Sequence, residues 1–279
     1  MTETGKKSKG RLGLRFHQTF VPERHYLSAL LRFAAEDGYG DNIQISEKTG
    51  IPTGKSSGKV PAILQYAQGM ELIFTKGKGA NRQVRPTAWG ETLLGKDPQL
   101  SEAVTQWLLH LNLCRRRGGA EIWFRTFGPG SDVLGRQFDR QVLDQYLSGL
   151  FGVANRSLIG PLQRTYEDPS ALKKTGALIT EKNVMRRNRA PLTPEFANGW
   201  AWFLLTLWDQ HFPGDRQAAA SDVETETFWG RLHGWNDTQR EQALTSIQTT
   251  GAISIDKQMQ PWVLTRKMAA ADLTSRIVI

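Results

Sequence analysis

One cysteine, Cys114, stands in 279 residues. No intrachain disulfide can form, and no cysteine-based zinc site can be assembled. Its apolar neighbours Leu111 and Leu113 predict a buried free thiol, which suits a reducing, cytoplasmic setting. Long hydrophobic runs are missing as well. The most apolar segment, GWAWFLLTLW, falls far short of the ~20 residues that a membrane span requires. The opening residues MTETGKKSKGR have no apolar stretch behind them, so 1–13 read as a basic tail and not as a secretory signal. The five histidines, His17, His25, His110, His211 and His233, show neither HExxH nor paired spacing, and a GxSxG nucleophile elbow is absent. Gly54-Lys55-Ser56 invites a phosphate-loop reading, but Gly50 lies one position too close for GxxxxGK[ST] and no buried strand precedes it.

What is abundant is positive charge. Lys and Arg total 36 against 27 Asp and Glu, a net charge of +9, which favours a polyanionic partner over an acidic small substrate. Residues 1–95 hold 14 basic and 8 acidic side chains, residues 96–190 hold 15 and 9, and residues 191–279 hold 7 and 10. The excess belongs to the first two thirds.

The element pattern predicts a mainly α chain with small β hairpins, of α+β class. Tyr26, Leu27, Leu30, Leu31 and Ala34 recur at helical spacing behind Pro22. Ser46 to Thr49 gives a short second helix ended by Gly50. Val60, Ile63, Leu64, Ala67 and Met70 mark a third, whose Lys59, Gln65 and Gln68 point elsewhere. Leu72 to Phe74, the turn KGKGANR and Gln83 to Arg85 then make a hairpin. This order is that of a winged-helix DNA-binding domain, here over 14–95, with the third helix as groove reader and the hairpin as wing. Lys55, Ser56, Ser57, Lys59, Gln65, Lys76, Lys78, Arg82 and Arg85 are the DNA-binding candidates.

Beyond it the pattern predicts a helical middle region, 96–190. Its helices run from Asp97 to Leu113 and from near Arg136 to Phe151, the second with Phe138, Val142, Tyr146 and Leu150 inward. Pro161 and EDPSALKKTGA read as loops, and the arginines of RRRGG as phosphate contacts or a helix C-terminal cap. The C-terminal region, 191–279, repeats the helix, helix, hairpin order as a second winged-helix-like unit. Thr238 and Glu241 have capping-box spacing there, and Ile253 and Ile255 alternate as in a strand. Its acidity suits protein contact or core organisation more than a grip on DNA, and the aromatic residues of FANGWAWFLLTLWDQHF read as core.

For hydrolytic chemistry the remaining possibility is a phosphodiesterase of the carboxylate-and-histidine kind, in which a divalent ion neutralises phosphate and activates water. The densest set of suitable side chains is His17, Glu23, His25, Glu36, Asp37 and Asp41. Spacing alone leaves open that these are solvated charges at helix ends. Asp132, Asp139 and Asp144 form a weaker set.

The motif Phe16-His17-Gln18-Thr19-Phe20 resembles the start of the SspB family, the DNA-nicking component of bacterial Ssp phosphorothioation and phage-defence systems. In the same order follow Gly54-Lys55-Ser56, Gly69-Met70-Glu71-Leu72-Ile73, Pro86-Thr87-Ala88-Trp89-Gly90, Trp107-Leu108-Leu109-His110 and the aromatic pair Ile122-Trp123-Phe124 with Phe127. The likeness covers residues 14 to 128 and the remainder in general order. It implies a cytoplasmic nickase acting on double-stranded DNA with a divalent cation, Mg or Mn. His17 would be general base or metal ligand, the alternative being a buried histidine that anchors the tail to the first helix; Gln18 would stand where some relatives carry Glu, Glu36 and Asp37 would serve as catalytic acids or ligands, and Asp41 as a metal ligand. Implied partners are a cysteine desulfurase, an ATPase and a sulfur-transfer protein. The alternative from the same residues is a non-catalytic winged-helix DNA-binding protein, either a regulator or a recruiter of the sulfur machinery.

Overall fold

The computed structural model describes residues 10–54, 58–152, 156–258 and 260–277. It is an α+β chain in which small antiparallel sheets punctuate a helical body. α1 (Arg24–Ala35), α2 (Asn42–Thr49) and α3 (Lys59–Gly69) lead into the hairpin β1 (Ile73–Lys76) and β2 (Gln83–Pro86), followed by α4 (Ala88–Lys96) and α5 (Ala103–Cys114). Then come α6 (Glu121–Phe127), α7 (Gly130–Leu134), β3 (Gln137–Asp139), α8 (Arg140–Phe151), α9 (Arg156–Glu167), β4 (Leu178–Glu181) and β5 (Val184–Arg187). The last third is α10 (Ala197–His211), β6 (Gln217–Ala219), α11 (Ala220–Thr227), α12 (Trp229–Leu232), α13 (Asp237–Thr249), β7 (Ile253–Asp256), β8 (Val263–Arg266) and α14 (Ala270–Thr274).

One order of elements recurs three times: helix, short extended segment, helices, hairpin. In each unit the returning hairpin strand is central. β2 lies between β1 and the single bridge at Tyr39, β5 between β3 and β4, and β8 between β6 and β7. The middle region is therefore not purely helical. Its hairpin turns on Lys182 and Asn183, with Glu181 paired to Val184 and Lys182 in the left-handed region at φ 57°.

β3 also corrects the expected face of α8. Residues 137–139 are spent on a strand, so the helix begins at Arg140 and its phase restarts. Leu143 and Leu147 are inward, while Val142 and Leu150 are exposed. Pro161 sits inside α9 and not in a loop; there its missing N–H removes only a bond to the helix's first turn. The capping box of α13 is Asn236 with Gln239, two residues ahead of the expected pair.

The core is one hydrophobic cluster running from Phe16 to Ile277. Trp123, Trp200, Trp208, Tyr66 and Phe203 are its largest fully buried members, so the aromatic residues of α10 are packing groups. Trp89 of α4 meets Trp202 of α10 at 4.7 Å between ring centroids, which joins the first unit to the third. Cys114 is buried, 3.5 Å from His110 Nδ1, and burial pushes its thiol well above the usual range. Such a thiol is inert. The triple arginine after α5 is consumed internally. Buried Arg115 pairs with Glu71 and donates to Asn112 Oδ1 at 2.7 Å, Arg116 donates to the Glu226 carbonyl at 3.0 Å, and Arg117 to the Gln210 carbonyl.

Burial holds four imidazoles neutral, with pKa values lowered to about 4 for His17 and His211 and about 3 for His110 and His233. In the unfolded chain each protonates near 6.5. Protons therefore bind the unfolded state preferentially, and stability present above pH 6.5 is lost as the pH falls from there toward 4. The thermal unfolding midpoint followed by circular dichroism should be level from pH 7 to 8 and drop steadily below 6. An unchanged midpoint at pH 5 would contradict this account of the histidines.

Candidate nucleic-acid interface

The motif residues 16–20 form a tight turn that plugs the first unit. Phe16 packs edge-on against Tyr66 of α3 at 4.7 Å and lies 5.7 Å from Trp123 of α6. The Tyr66 hydroxyl donates to the Phe20 carbonyl at 3.0 Å. Gln18 and Thr19 both take positive φ, 45° and 71°. That strain is held by three contacts. The Thr19 N–H donates to His17 Nδ1 at 3.0 Å, Arg164 of α9 donates to the Thr19 carbonyl at 2.6 Å, and Gln18 Oε1 accepts the Gly58 N–H at 3.3 Å.

His17 is thus a buried residue. With Nδ1 accepting, the ring proton sits on Nε2, which is buried without a hydrogen-bond partner among the described residues. A general base needs hydrogen-bond reach to the proton it removes, and this imidazole has none to solvent. Its environment is that of an anchor between the turn and the aromatic cluster.

Gln18 serves the mouth of the following loop. Thr53 and Gly58 pair across it, and a Cβ at Gly58 would lie 2.8 Å from Thr53 Cα in a backbone already at φ 145°. Lys55, Ser56 and Ser57 lie outside the described residues. α3 is packed over most of its circumference, with Val60, Ala62, Ile63, Leu64, Tyr66, Ala67 and Gly69 all buried. Lys59 is held by Glu23 at 2.6 Å and sits 4.6 Å over the Tyr26 ring. Gln68 donates to Thr75 Oγ1 at 2.7 Å, and Gln65 is half-buried. The expected groove-reading face is therefore largely engaged within the chain.

The carboxylates lie apart from His17. Asp41 is the N-cap of α2, its Oδ1 accepting from the Ile43 and Gln44 N–H groups at 2.9 and 3.0 Å. Glu36 and Asp37 are exposed at the C-terminal end of α1, and Asp37 pairs with Arg85 at 3.1 Å. Among the described residues no three His, Cys, Asp or Glu side chains are grouped to hold a metal ion. The residues present do not by themselves fit a protein-held divalent cation.

The outer face of the first sheet is where exposed chemistry gathers. Val84 and Ile73 point inward, so their neighbours Phe74, Lys76, Gln83 and Arg85 point out. Register places Tyr39 against Gln83, Lys76 against Gln83 and Phe74 against Arg85, hence on one face. Tyr39 is 52% exposed and Phe74 44%. Lys76 and Lys78 are exposed without an ion pair among the described residues, whereas Arg82 donates to Asn42 Oδ1 at 2.8 Å. The two aromatics were not singled out by spacing, although the alternation Ile73-Phe74-Thr75-Lys76 carries the signal for Phe74.

Two solved structures share this fold. An SspB crystal structure matches with TM-score 0.72 over 97% of this chain and 88% of that one, at 16% identity. A magnesium ion-bound SspB crystal structure matches with TM-score 0.71 over 96% and 87%, also at 16% identity. No protein-family model and no curated protein matches the sequence. The chain has an SspB-like fold from end to end, as the motif order in its N-terminal half implied. Among the described residues no helix is long and apolar enough to cross a membrane.

The placement of His17 has a direct consequence. Removing a buried ring that ties a strained turn to its aromatic neighbours should cost about 2–4 kcal/mol. Urea unfolding of His17→Ala is expected to show that loss; a change below about 0.5 kcal/mol would mean the imidazole does not anchor the turn.

Proposed function

We propose that this chain binds double-stranded DNA through the outer face of its first sheet and nicks one strand, in support of backbone phosphorothioation and phage defence. The observation that carries this reading is the end-to-end SspB-like fold, one of whose solved relatives holds magnesium. Physical support comes from the first unit. Its helices and hairpin have the order of a winged helix, and its wing carries the exposed Lys76 and Lys78 beside Tyr39 and Phe74. Lysines there neutralise phosphates, and exposed aromatic rings offer stacking surfaces to bases unpaired near a break. In this reading the largely packed α3 supports the wing, and α2, whose Ile43, Gln44, Glu47 and Lys48 are exposed, lies nearer solvent.

Glu36 and Asp37 are the exposed acids of the set, Asp37 beside Arg85 at 3.1 Å, whereas Asp41 is committed to its helix cap. They take the catalytic role. The partners would be a cysteine desulfurase, an ATPase and a sulfur-transfer protein in the cytoplasm. The lack of a metal-holding group among the described residues favours a second reading, a DNA-binding recruiter of that machinery without its own chemistry.

Plasmid nicking separates the two. Purified protein with magnesium or manganese should convert supercoiled plasmid to open circle, chelator should stop it, and Glu36→Gln/Asp37→Asn should keep DNA affinity while slowing the reaction by about a hundredfold or more. Tight binding with no open circles, with partners added, would leave the recruiter. Separately, Lys76→Gln/Lys78→Gln should reduce the slope of log affinity against log salt by about 0.9 for each phosphate that is no longer neutralised. An unaltered slope would remove the wing from the interface.

A further inference from the structure

A cleft of about 350 Å³ lies between the second and third units, and five arginines line it. Two of them are balanced. Arg231 pairs with Asp132 at 3.2 Å and Arg240 with Asp237, and both approach Glu224. Arg136, Arg187 and Arg189 have no carboxylate within ion-pair distance among the described residues.

The sheet register sets these three cations in place. The Arg187 N–H donates to the Arg136 carbonyl at 2.9 Å, which extends the Gln137 to Arg186 pairing by one step and puts both side chains on one side. Arg189 follows two residues later and is exposed, as is Arg136. The opposite wall is tied to the same strand, since Trp235 Nε1 donates to the Ala190 carbonyl at 2.9 Å and the Ala190 N–H to the His233 carbonyl at 2.8 Å.

Arg187 is the unusual member. Only 7% exposed, it donates to the carbonyls of Thr126 at 3.1 Å, Ser131 at 3.3 Å and Gly135, and its buried Nε has no partner among the described residues. Neutral oxygens orient the guanidinium without cancelling its charge, and an uncompensated buried charge is costly. Burial lowers its pKa to about 10 against the opposing charge of Asp132, and Arg136 is lowered by burial and by the charges of Arg189 and Arg186. Five arginines thus face the carboxylates of Asp132 and Asp237 across one cleft, and the positive charge left over is open to an anion from outside.

We infer that this cleft is a binding site for a phosphate group, carried either on the DNA backbone or on a free phosphate compound. Guanidinium forks match phosphate oxygens in pairs, and the volume falls within the range of small-molecule sites. The site does not depend on the nicking reading, because anion binding is measured without cleavage.

The test uses the full chain and Arg136→Gln/Arg189→Gln, two exposed positions, with circular dichroism to check that the variant keeps the fold. Inorganic phosphate, against chloride at equal ionic strength, should raise the wild-type unfolding midpoint by about 2–4 °C and leave the variant unmoved. A duplex DNA titration across salt concentrations identifies the source. A slope reduced in the variant by about 0.9 for each phosphate released means that backbone phosphate occupies the cleft; a phosphate shift with an unaltered slope means a free phosphate compound. If wild type and variant respond to phosphate alike, or neither responds, and the DNA slope is also unaltered, the inference is overturned.

Discussion

α5 has no solvent-facing side. Every residue from Val104 to Cys114 is buried, so each polar group on this helix must find its partner inside the protein or cost about 1–3 kcal/mol. Gln106 accepts the Lys174 N–H at 3.2 Å, which fixes the turn after α9. His110 shares a 2.7 Å hydrogen bond with the Tyr166 hydroxyl of α9 itself. Asn112 donates to the Leu108 carbonyl at 2.9 Å and receives Arg115. The two distant partners both come from α9 and the turn after it, so satisfying this helix decides how the second unit sits against it.

The charge distribution follows from the same packing. In the third unit several carboxylates pair with arginines, one of them outside the unit: Glu226 meets Arg116 of the second region, Asp209 meets Arg266, and Glu224 meets Arg231 and Arg240. Lys76 and Lys78 at the wing of the first unit, and Arg136, Arg187 and Arg189 at the cleft, have no such partner among the described residues. Two separate basic sites therefore stand on one frame, the second walled in part by the acidic third unit.

Much of the first unit was legible in the sequence because its punctuation is strong: Gly50, Gly77, Gly79 and the periodic apolar residues locate α1, α3, the hairpin and the end of α2, while the start of α2 at Asn42 and the helix α4 carried no such signal. The middle sheet was not. Lys182 takes the left-handed turn position that Asn, Asp or Gly would normally announce, and β3 is only three residues long, so its residues passed as the start of α8. The candidate site was legible in part. Spacing found the wing lysines, but a histidine or glutamine on a periodic helix reads the same whether it faces a groove or a neighbour. The burial of His17 and the Gln68 to Thr75 bond arise from tertiary packing, which the local pattern does not encode. Arg187 gave no signal for the same reason, since its partners are carbonyls some 50 to 60 residues away.

The clasp on the N-terminal turn also bears on the timing of biosynthesis. The Thr19 carbonyl is held by Arg164, and Arg24 donates to the carbonyls of Pro169 and Ala171 at 2.8 and 2.9 Å. These partners leave the ribosome some 145 residues after the residues they secure, a delay on the order of 10 s at ordinary elongation rates. During that interval the nascent first unit, though its own helices and hairpin are complete, lacks the partners that residues 164–171 supply to its opening turn and to Arg24. The last step in closing it belongs to the middle of the message, and a ribosome paused there would leave Phe16 and the aromatic cluster open to chaperones.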